Sequence, residues 1–555
     1  MDNVRLFLIM ALGFLSLLLW EAWQEDYVIP QKQSEQASYQ QDSESINLPN
    51  DGPEVPLIVN IDEASADQPL VIAEKKAFSD DRLIKVYTDT LNIMIDPKGG
   101  SIVDAKLKKY PVSTKTPDIK YHLMSQRPND FFIGQSGLLG NEKSQAPSHQ
   151  STFSSNKNNY SMGEGKKNLV IDLTWQSGDG IKVIKRYTFE RSKHSILLEH
   201  IIENNSNKKW TGREYRQLQR GEPTDSGSIF MYTYTGGAIF SEEDKYQKYD
   251  FSELAAGELN RDVKNGWIAM IQHYFLAAFV PPRDEQQHFY GKQLQNGNSV
   301  IGLYTPRKTA DRGDTIKFSG VMVVGPKLQS ELEPLAQGLE LTVDYGWLSP
   351  IAMPMHWVLD WINKFINNWG WTIIIFTILI KIVFFKLSET SYRSMANMRK
   401  IGPRIQALKD RHGDDKQRMQ KALMDMYKKE KINPLGGCLP MLVQLPFFIA
   451  LYWVLLESVE MRQAPWIFWI NDLSVKDPFF VLPLIMAVSM FAQQKLNPTP
   501  PDPMQAKMMM YLPVIFGIMF AFFPSGLVLY WVVNNLLSIT QQWVITRRIE
   551  SGDTA

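Results

Sequence analysis

At 555 residues the chain is too long for one ordinary domain, and with 21% charged residues and a mean hydropathy of -0.22 it reads as soluble on average. Its 59 basic and 59 acidic residues cancel, which argues against a bulk nucleic-acid binder, and a single cysteine, Cys438, rules out an intrachain disulfide. The average hides a division, because polar residues fill the first two thirds while residues 357–546 gather long runs of Ile, Leu, Phe, Met and Trp.

The chain opens with Arg5 and the apolar run LFLIMALGFLSLLLW, but no small-x-small cleavage pattern follows. Residues 1–23 are therefore expected to be a retained signal-anchor helix, with Trp20 and Trp23 at the outer interface and the amino terminus inside. Residues 24–56 are rich in Gln, Ser, Glu, Asp and Pro and too poor in large apolar side chains to fold, so they read as a flexible linker. From 57 to 346, short alternating bursts such as LNIMIDPKGGSIVDAKL and NLVIDLTWQSGDGIKVIKRYTFE are bounded by turn residues. That pattern predicts antiparallel hairpins and, over this length, a large β-sandwich.

Residues 349–368 place Ile351, Met355, Leu359, Ile362, Ile366 and, just beyond, Trp369 at helical spacing, with His356, Asp360 and Lys364 opposite. This is the signature of an amphipathic helix lying in the headgroup plane. Membrane spans are expected at about 369–386, 435–456, 478–493, 508–523 and 526–545, and the anchor makes six. Between Lys386 and Lys431 stand thirteen basic residues against six acidic ones, whereas Glu457 to Pro478 holds two basic and four acidic. That asymmetry places both termini, the tail 546–555 and the segment 387–431 in the cytoplasm, and the sandwich outside it. Within 387–431, Met395, Met398, Ile405 and Leu408 precede the Gly-Asp-Asp break, and Met419, Leu423, Met426 and Tyr427 follow it at helical spacing. A basic helical hairpin results, suited to docking a ribosome or a targeting factor.

The second span, within TIIIFTILIKIVFFK, carries Lys381. A lysine at the bilayer centre costs about 3 kcal/mol, while each Leu, Ile, Phe or Val returns roughly 0.3–0.6. Eleven such residues between 369 and 385 keep insertion favourable, so the span tolerates the lysine without needing it. Snorkelling to the cytoplasmic interface would account for it alone. Yet the later spans carry Gln444, Gln493, Gln494, Asn534, Asn535, Gln541 and Gln542, and no carboxylate. Polar side chains inside spans face a bundle interior or water, so a wet recess open to the cytoplasm is expected around Lys381. Three spans have only about 15–17 apolar residues where about 20 are needed, and prolines 440, 446, 483 and 513 interrupt them, which suggests a thinned bilayer. Methionines 486, 490, 508, 509, 510 and 519 give the fourth and fifth spans an adaptable apolar surface, as suited to gap-filling as to partner contact.

The segments GDDKQRMQKALMDMYKKE, NPLGGCLP, RQAPWIFWINDLS, DPMQAKMMMYLPVIF and FPSGLVLYWVVNNLLSITQQ make the chain resemble, over nearly its whole length, the YidC family of membrane protein insertases in its long Gram-negative form. The resemblance implies an α+β membrane protein in the bacterial inner membrane. It would join a large periplasmic antiparallel β-supersandwich to the anchor and a five-helix bundle, residues 369–386 and 435–545, around a hydrophilic groove closed toward the periplasm. It implies nascent inner-membrane proteins, the SecYEG translocon, a ribosome or targeting factor and membrane lipids as partners. By the same resemblance the groove comprises Thr377, Lys381, Gln444, Leu445, Pro446, Phe448, Tyr530, Trp531 and Asn534. The family's groove charge is usually arginine and here is Lys381, which keeps the charge and loses the guanidinium fork. Lys386 stands where many relatives have proline.

No cofactor, metal or catalytic residue is expected. GEGKK at 163–167 lacks P-loop spacing, there is no H-E-x-x-H, and the eight histidines are scattered. Two alternatives stand beside the insertase: a membrane-anchored carbohydrate-active protein, which needs paired carboxylates at a cleft, and a solute transporter, which calls for repeats and buried ion sites.

Overall fold

A computed structural model of the chain describes residues 82–141, 146–223, 233–412, 416–430, 439–497 and 503–550. The expected anchor 1–23 and linker 24–56, and Cys438, lie outside the described residues. Residues 503–510, the first two turns of one helix, fall in a different compact unit from the other described residues.

Among the described residues, twenty strands between Ile84 and Pro326 build two sheets, one of eleven strands and one of nine. The alternation that marks them in sequence is the alternation of burial. In the strand Ile181–Glu190, every second residue from Ile181 to Phe189 is buried, as period-2 geometry requires when one face meets a core. That strand pairs antiparallel with Ser195–Asn204, which pairs in turn with Thr315–Pro326, and these form the middle of the nine-stranded sheet. In the larger sheet, Trp210–Arg220 lies between Phe132–Gly140 and Ser299–Tyr304. Ile93, Ile102, Leu107, Ile171, Val183, Ile202, Leu218, Ile301 and Phe318 share the core between the sheets. Each such side chain, fully buried, contributes on the order of 1.5–3 kcal/mol. The antiparallel expectation fails at one place: Ile84–Tyr87 pairs parallel with Asn159–Ser161.

Charges are buried in this core as well. His200 Nδ1 lies 2.8 Å from Glu214 Oε1, and Arg216 Nε donates to the same oxygen at 3.0 Å, all three side chains being fully buried. Burial alone would raise the Glu214 carboxyl, but Arg216 and His200 outweigh it and hold it at about 2. His200 belongs to the smaller sheet and the other two to the larger, so the cluster ties the sheets together.

Nine longer helices follow among the described residues: α1 Ser349–Ile366, α2 Trp369–Val383, α3 Phe385–Lys400, α4 Gly402–His412, α5 Lys416–Lys429, α6 Leu439–Glu457, α7 Val481–Leu496, α8 Pro503–Phe520 and α9 Ser525–Glu550. Asn367 ends α1 in the left-handed conformation, and the Asn368 side chain caps α2 by accepting from Trp371 N at 3.1 Å, so the chain turns sharply there. In α1, Ala352, Met355, Leu359 and Ile362 pack against α2 and α6, as the periodicity predicts. His356, expected on the polar side, is buried with them, 3.6 Å from Glu460, because the face packed on the bundle is wider than the stripe of apolar residues. The exposed side of α1 carries Trp357, Trp361 and Phe365.

The span expected at 369–386 is not one straight helix. α2 ends at Val383 and the chain bends by 67° into α3. Phe384 stands at the break, with its ring edge-on to Phe447 of α6 at 5.0 Å. No proline marks the bend, and its visible support is this packing. Among the described residues no single helix is long and apolar enough to cross a membrane; α2 and α3 meet the length and composition only as a bent pair.

The sandwich and the bundle are joined at the end of α6. Lys327 and Glu457 form a buried ion pair at 3.1 Å, His273 Nε2 meets Leu456 O at 3.0 Å, and Arg462 donates to Pro111 O at 2.7 Å. Val459, just past the helix, belongs to the sandwich core.

Candidate functional site

Lys381 lies in the last turn of α2, half-buried, with α9 alongside. Its ammonium donates to Ser538 Oγ at 2.8 Å, and that hydroxyl donates to Asn534 O at 2.7 Å. Serine thus relays the charge onto a backbone carbonyl of α9. No carboxylate among the described residues lies within ion-pair distance of Lys381.

The ammonium borders a cavity of about 780 Å³ between α2, α3 and α9. Ile378, Ile382, Phe385, Leu537, Val544 and Ile545 give it apolar walls, while Lys381, Glu389, Arg393, Thr540, Gln541 and Arg548 supply polar groups. Such a space offers two solvents at once. An apolar segment can lie along the walls while an acidic group approaches the cations.

Of the remaining residues expected at the groove, all but Asn534 fall elsewhere. Thr377 is buried and donates to Ile373 O of its own helix at 2.7 Å. Phe448 of α6 stacks on Tyr530 at 6.0 Å and meets Trp531 edge-on at 4.8 Å; Trp531 also meets Phe520 at 5.5 Å. These rings form an aromatic layer in the bundle interior, with Tyr530 buried. Gln444 and Pro446 are half-buried on α6 and Leu445 is exposed, and none of the three lines the cavity. Asn534 takes part through its carbonyl.

Two of the amides of the later spans hold α9 to its neighbour α7. Asn535 donates to Ser489 Oγ at 3.1 Å, and Gln542 donates to Asn497 Oδ1 at 3.0 Å, both joining α9 to α7 or its end. Among the amides, Gln541 is the one on the cavity wall. Sequence reasoning missed Ser538, Glu389, Arg393 and Arg548. Ser538 sits one turn after Asn534 on the same helix face and was legible by that spacing; Glu389 and Arg393 follow Lys381 and Phe385 at every fourth residue, and Arg548 reaches the cavity through the length of α9.

Comparison with known proteins agrees with this architecture. A family model described as 60Kd inner membrane protein matches residues 361–552, and one described as YidC periplasmic domain matches residues 83–358. Together they define an inner-membrane protein with a large periplasmic domain. Relatives include the membrane protein insertase YidC of Thioalkalivibrio sulfidiphilus, 50% identical over 564 residues, covering 100% of this chain and 99% of that one. The same insertase of Methylococcus capsulatus is 49% identical over 554 residues, covering 100% and 99%. Among solved structures, the chain is similar to a crystal structure of an active YidC insertase with its first transmembrane domain resolved, at 19% identity and a TM-score of 0.36, covering 83% of this chain and 92% of that chain. On the sequence matches, the chain belongs to the YidC family of membrane protein insertases.

Proposed function

We propose that this insertase receives the polar, often acidic, translocated segment of a nascent membrane protein in the Lys381 cavity, while the adjoining apolar segment moves into lipid. The observation that carries the reading is an ammonium with no carboxylate partner among the described residues, held by a serine hydroxyl at the edge of a cavity with apolar walls. The cavity lowers the desolvation cost of the polar segment, and the cation attracts its charge. The apolar helix leaves along exposed side chains of α6 and α8, such as Leu445, Val514, Ile515 and Ile518. Partition into lipid and the membrane potential supply the drive, and no bond-making step is involved.

In this reading the cavity opens to the cytoplasm, both termini are cytoplasmic, and the anchor plus five helical segments span the membrane. α2 and α7, at 15 and 16 residues, are roughly 22–24 Å long against a hydrocarbon core of about 30 Å, which favours local thinning. The hairpin of α4 and α5, tied by Arg404 to Glu430 at 2.6 Å, is the docking surface for a ribosome or targeting factor, and the SecYEG translocon is the partner for larger clients.

The test is insertion of single-span clients whose translocated tails are acidic or neutral, with Lys381→Arg, Lys381→Gln and Lys381→Glu. Acidic clients are expected to insert with Arg nearly as with Lys, more slowly with Gln and slowest with Glu, with neutral clients little changed. Equal insertion of acidic clients by the Arg and Glu variants overturns the reading.

A further inference from the structure

The cavity wall carries charges beyond Lys381. Glu389 and Arg393 stand one turn apart on α3, and Arg548 lies near the end of α9. They face the same space because, past the 67° bend at Phe384, α3 continues alongside α9, with Phe385 O meeting Gln541 and Lys400 meeting Ile549 O. Arg393 Nη2 donates to Glu389 Oε1 at 2.8 Å. The wall therefore holds three cations and one anion, and the anion is committed to Arg393 rather than to Lys381.

An i, i+4 ion pair this exposed, 52% and 30%, contributes little to holding a helix together. Its field is another matter. Apolar residues make up half of the wall, and charges beside a low-dielectric surface act over longer distances than in open water. Within one cavity the Glu389 carboxylate repels an acidic segment and offsets the pull of Arg393.

We propose that Glu389 is a specificity-determining residue of this cavity: it sets how acidic a translocated segment can be before its admission is slowed, by neutralising Arg393 at the approach to Lys381. The proposal rests on the insertase reading of the cavity. Without the Glu389 charge the approach becomes wholly cationic, and acidic segments are captured faster. At separations of about 10 Å, one charge removed beside a partly wet cavity changes the capture of a single opposing charge by roughly two- to tenfold, and added salt reduces the effect.

The experiment uses the full chain in proteoliposomes and a single-span client whose translocated tail carries no, two or four aspartates, with protease protection timing insertion at low and at high KCl. Glu389→Gln is expected to raise the four-aspartate rate two- to tenfold over the parent, to leave the neutral client unchanged, and to lose its advantage at high salt. Arg393→Gln should shift the same ratio the other way. Glutamine keeps the helix propensity of glutamate, so α3 is not perturbed. If Glu389→Gln changes neutral and acidic clients alike, or neither, the proposal fails. Lys381→Gln in the same assay separates the two readings: if it slows acidic clients while Glu389→Gln does nothing, only this proposal is wrong, and if it spares them, the cavity reading falls with it.

Discussion

The ion pair between Lys327 and Glu457 tests whether the sandwich and the bundle are one mechanical body. Its side chains are 3% and 6% exposed, with Nζ and Oε2 3.1 Å apart, and the neighbouring contact from His273 to Leu456 O leaves water little room. Taking one partner away strands a buried charge, which costs about 3–5 kcal/mol, whereas replacing both by apolar groups of similar volume is near neutral. Glu457→Leu and Lys327→Met should each destabilise by about 3–5 kcal/mol, and the double variant by much less than either. For a domain of this size that is a fall of roughly 6–20 °C in melting temperature for each single change. The assay is thermal unfolding in a mild detergent, followed by emission of the buried Trp210 and Trp267. A single variant that shifts the midpoint by less than a few degrees, or a double variant at least as unstable as the two singles combined, would show that the pair does not couple the two parts.

Two further perturbations follow from the same structure. Burial, with Lys185, Lys292 and Lys98 adding to it, pushes His149 down from 6.5 to about 4. Its neutral form is therefore favoured in the folded state, and the stability this gives is complete above pH 6.5 and lost as pH falls toward 4. The loss amounts to about 3 kcal/mol, so unfolding midpoints should drop over that window and drop less in His149→Gln; parallel pH profiles for the two proteins refute the assignment. At Gly370, in the first turn of α2, a methyl group would overlap the indole ring of Trp466 in the loop between α6 and α7. Gly370→Ala is expected to cost about 1–3 kcal/mol by displacing that ring, and an unchanged melting temperature counts against so close an approach.

How much of this was legible in the sequence depended on whether the signal was local. Period-2 strands such as Ile181–Glu190 and the packed stripe of α1 were readable because one face of each meets a core and the other does not. The parallel pairing of Ile84–Tyr87 with Asn159–Ser161 was not, since it joins segments some 75 positions apart that carry no mark of strand direction. His356 was misplaced because a histidine can be buried once a carboxylate such as Glu460 stands nearby, and that neighbour is distant in sequence. At the site, Lys381 announced itself as a charge in an apolar run. The amides did not reveal which of them face the cavity, because Asn535 and Gln542 find their partners on or just beyond another helix. The aromatic layer of Phe448, Tyr530 and Trp531 was recognisable as residues and not as a layer, since stacking is a property of the packed bundle.

The bend at Phe384 lowers the cost of a lysine that the apolar residues of the run already make tolerable. In a straight span the ammonium would have to reach the interface through its own stem. Because α2 stops at Val383, Lys381 instead sits in a helix's last turn, where unpaired carbonyls and the negative end of the helix dipole favour a cation. Ser538 then gives the ammonium an acceptor without neutralising it, which a carboxylate would do. Past the bend α3 continues along α9, and Glu389 and Arg393 line the same cavity. One break in the helix thus lowers the cost of the charge, and the packing around it leaves the ammonium bonded to a hydroxyl with Glu389 and Arg393 lining the same cavity.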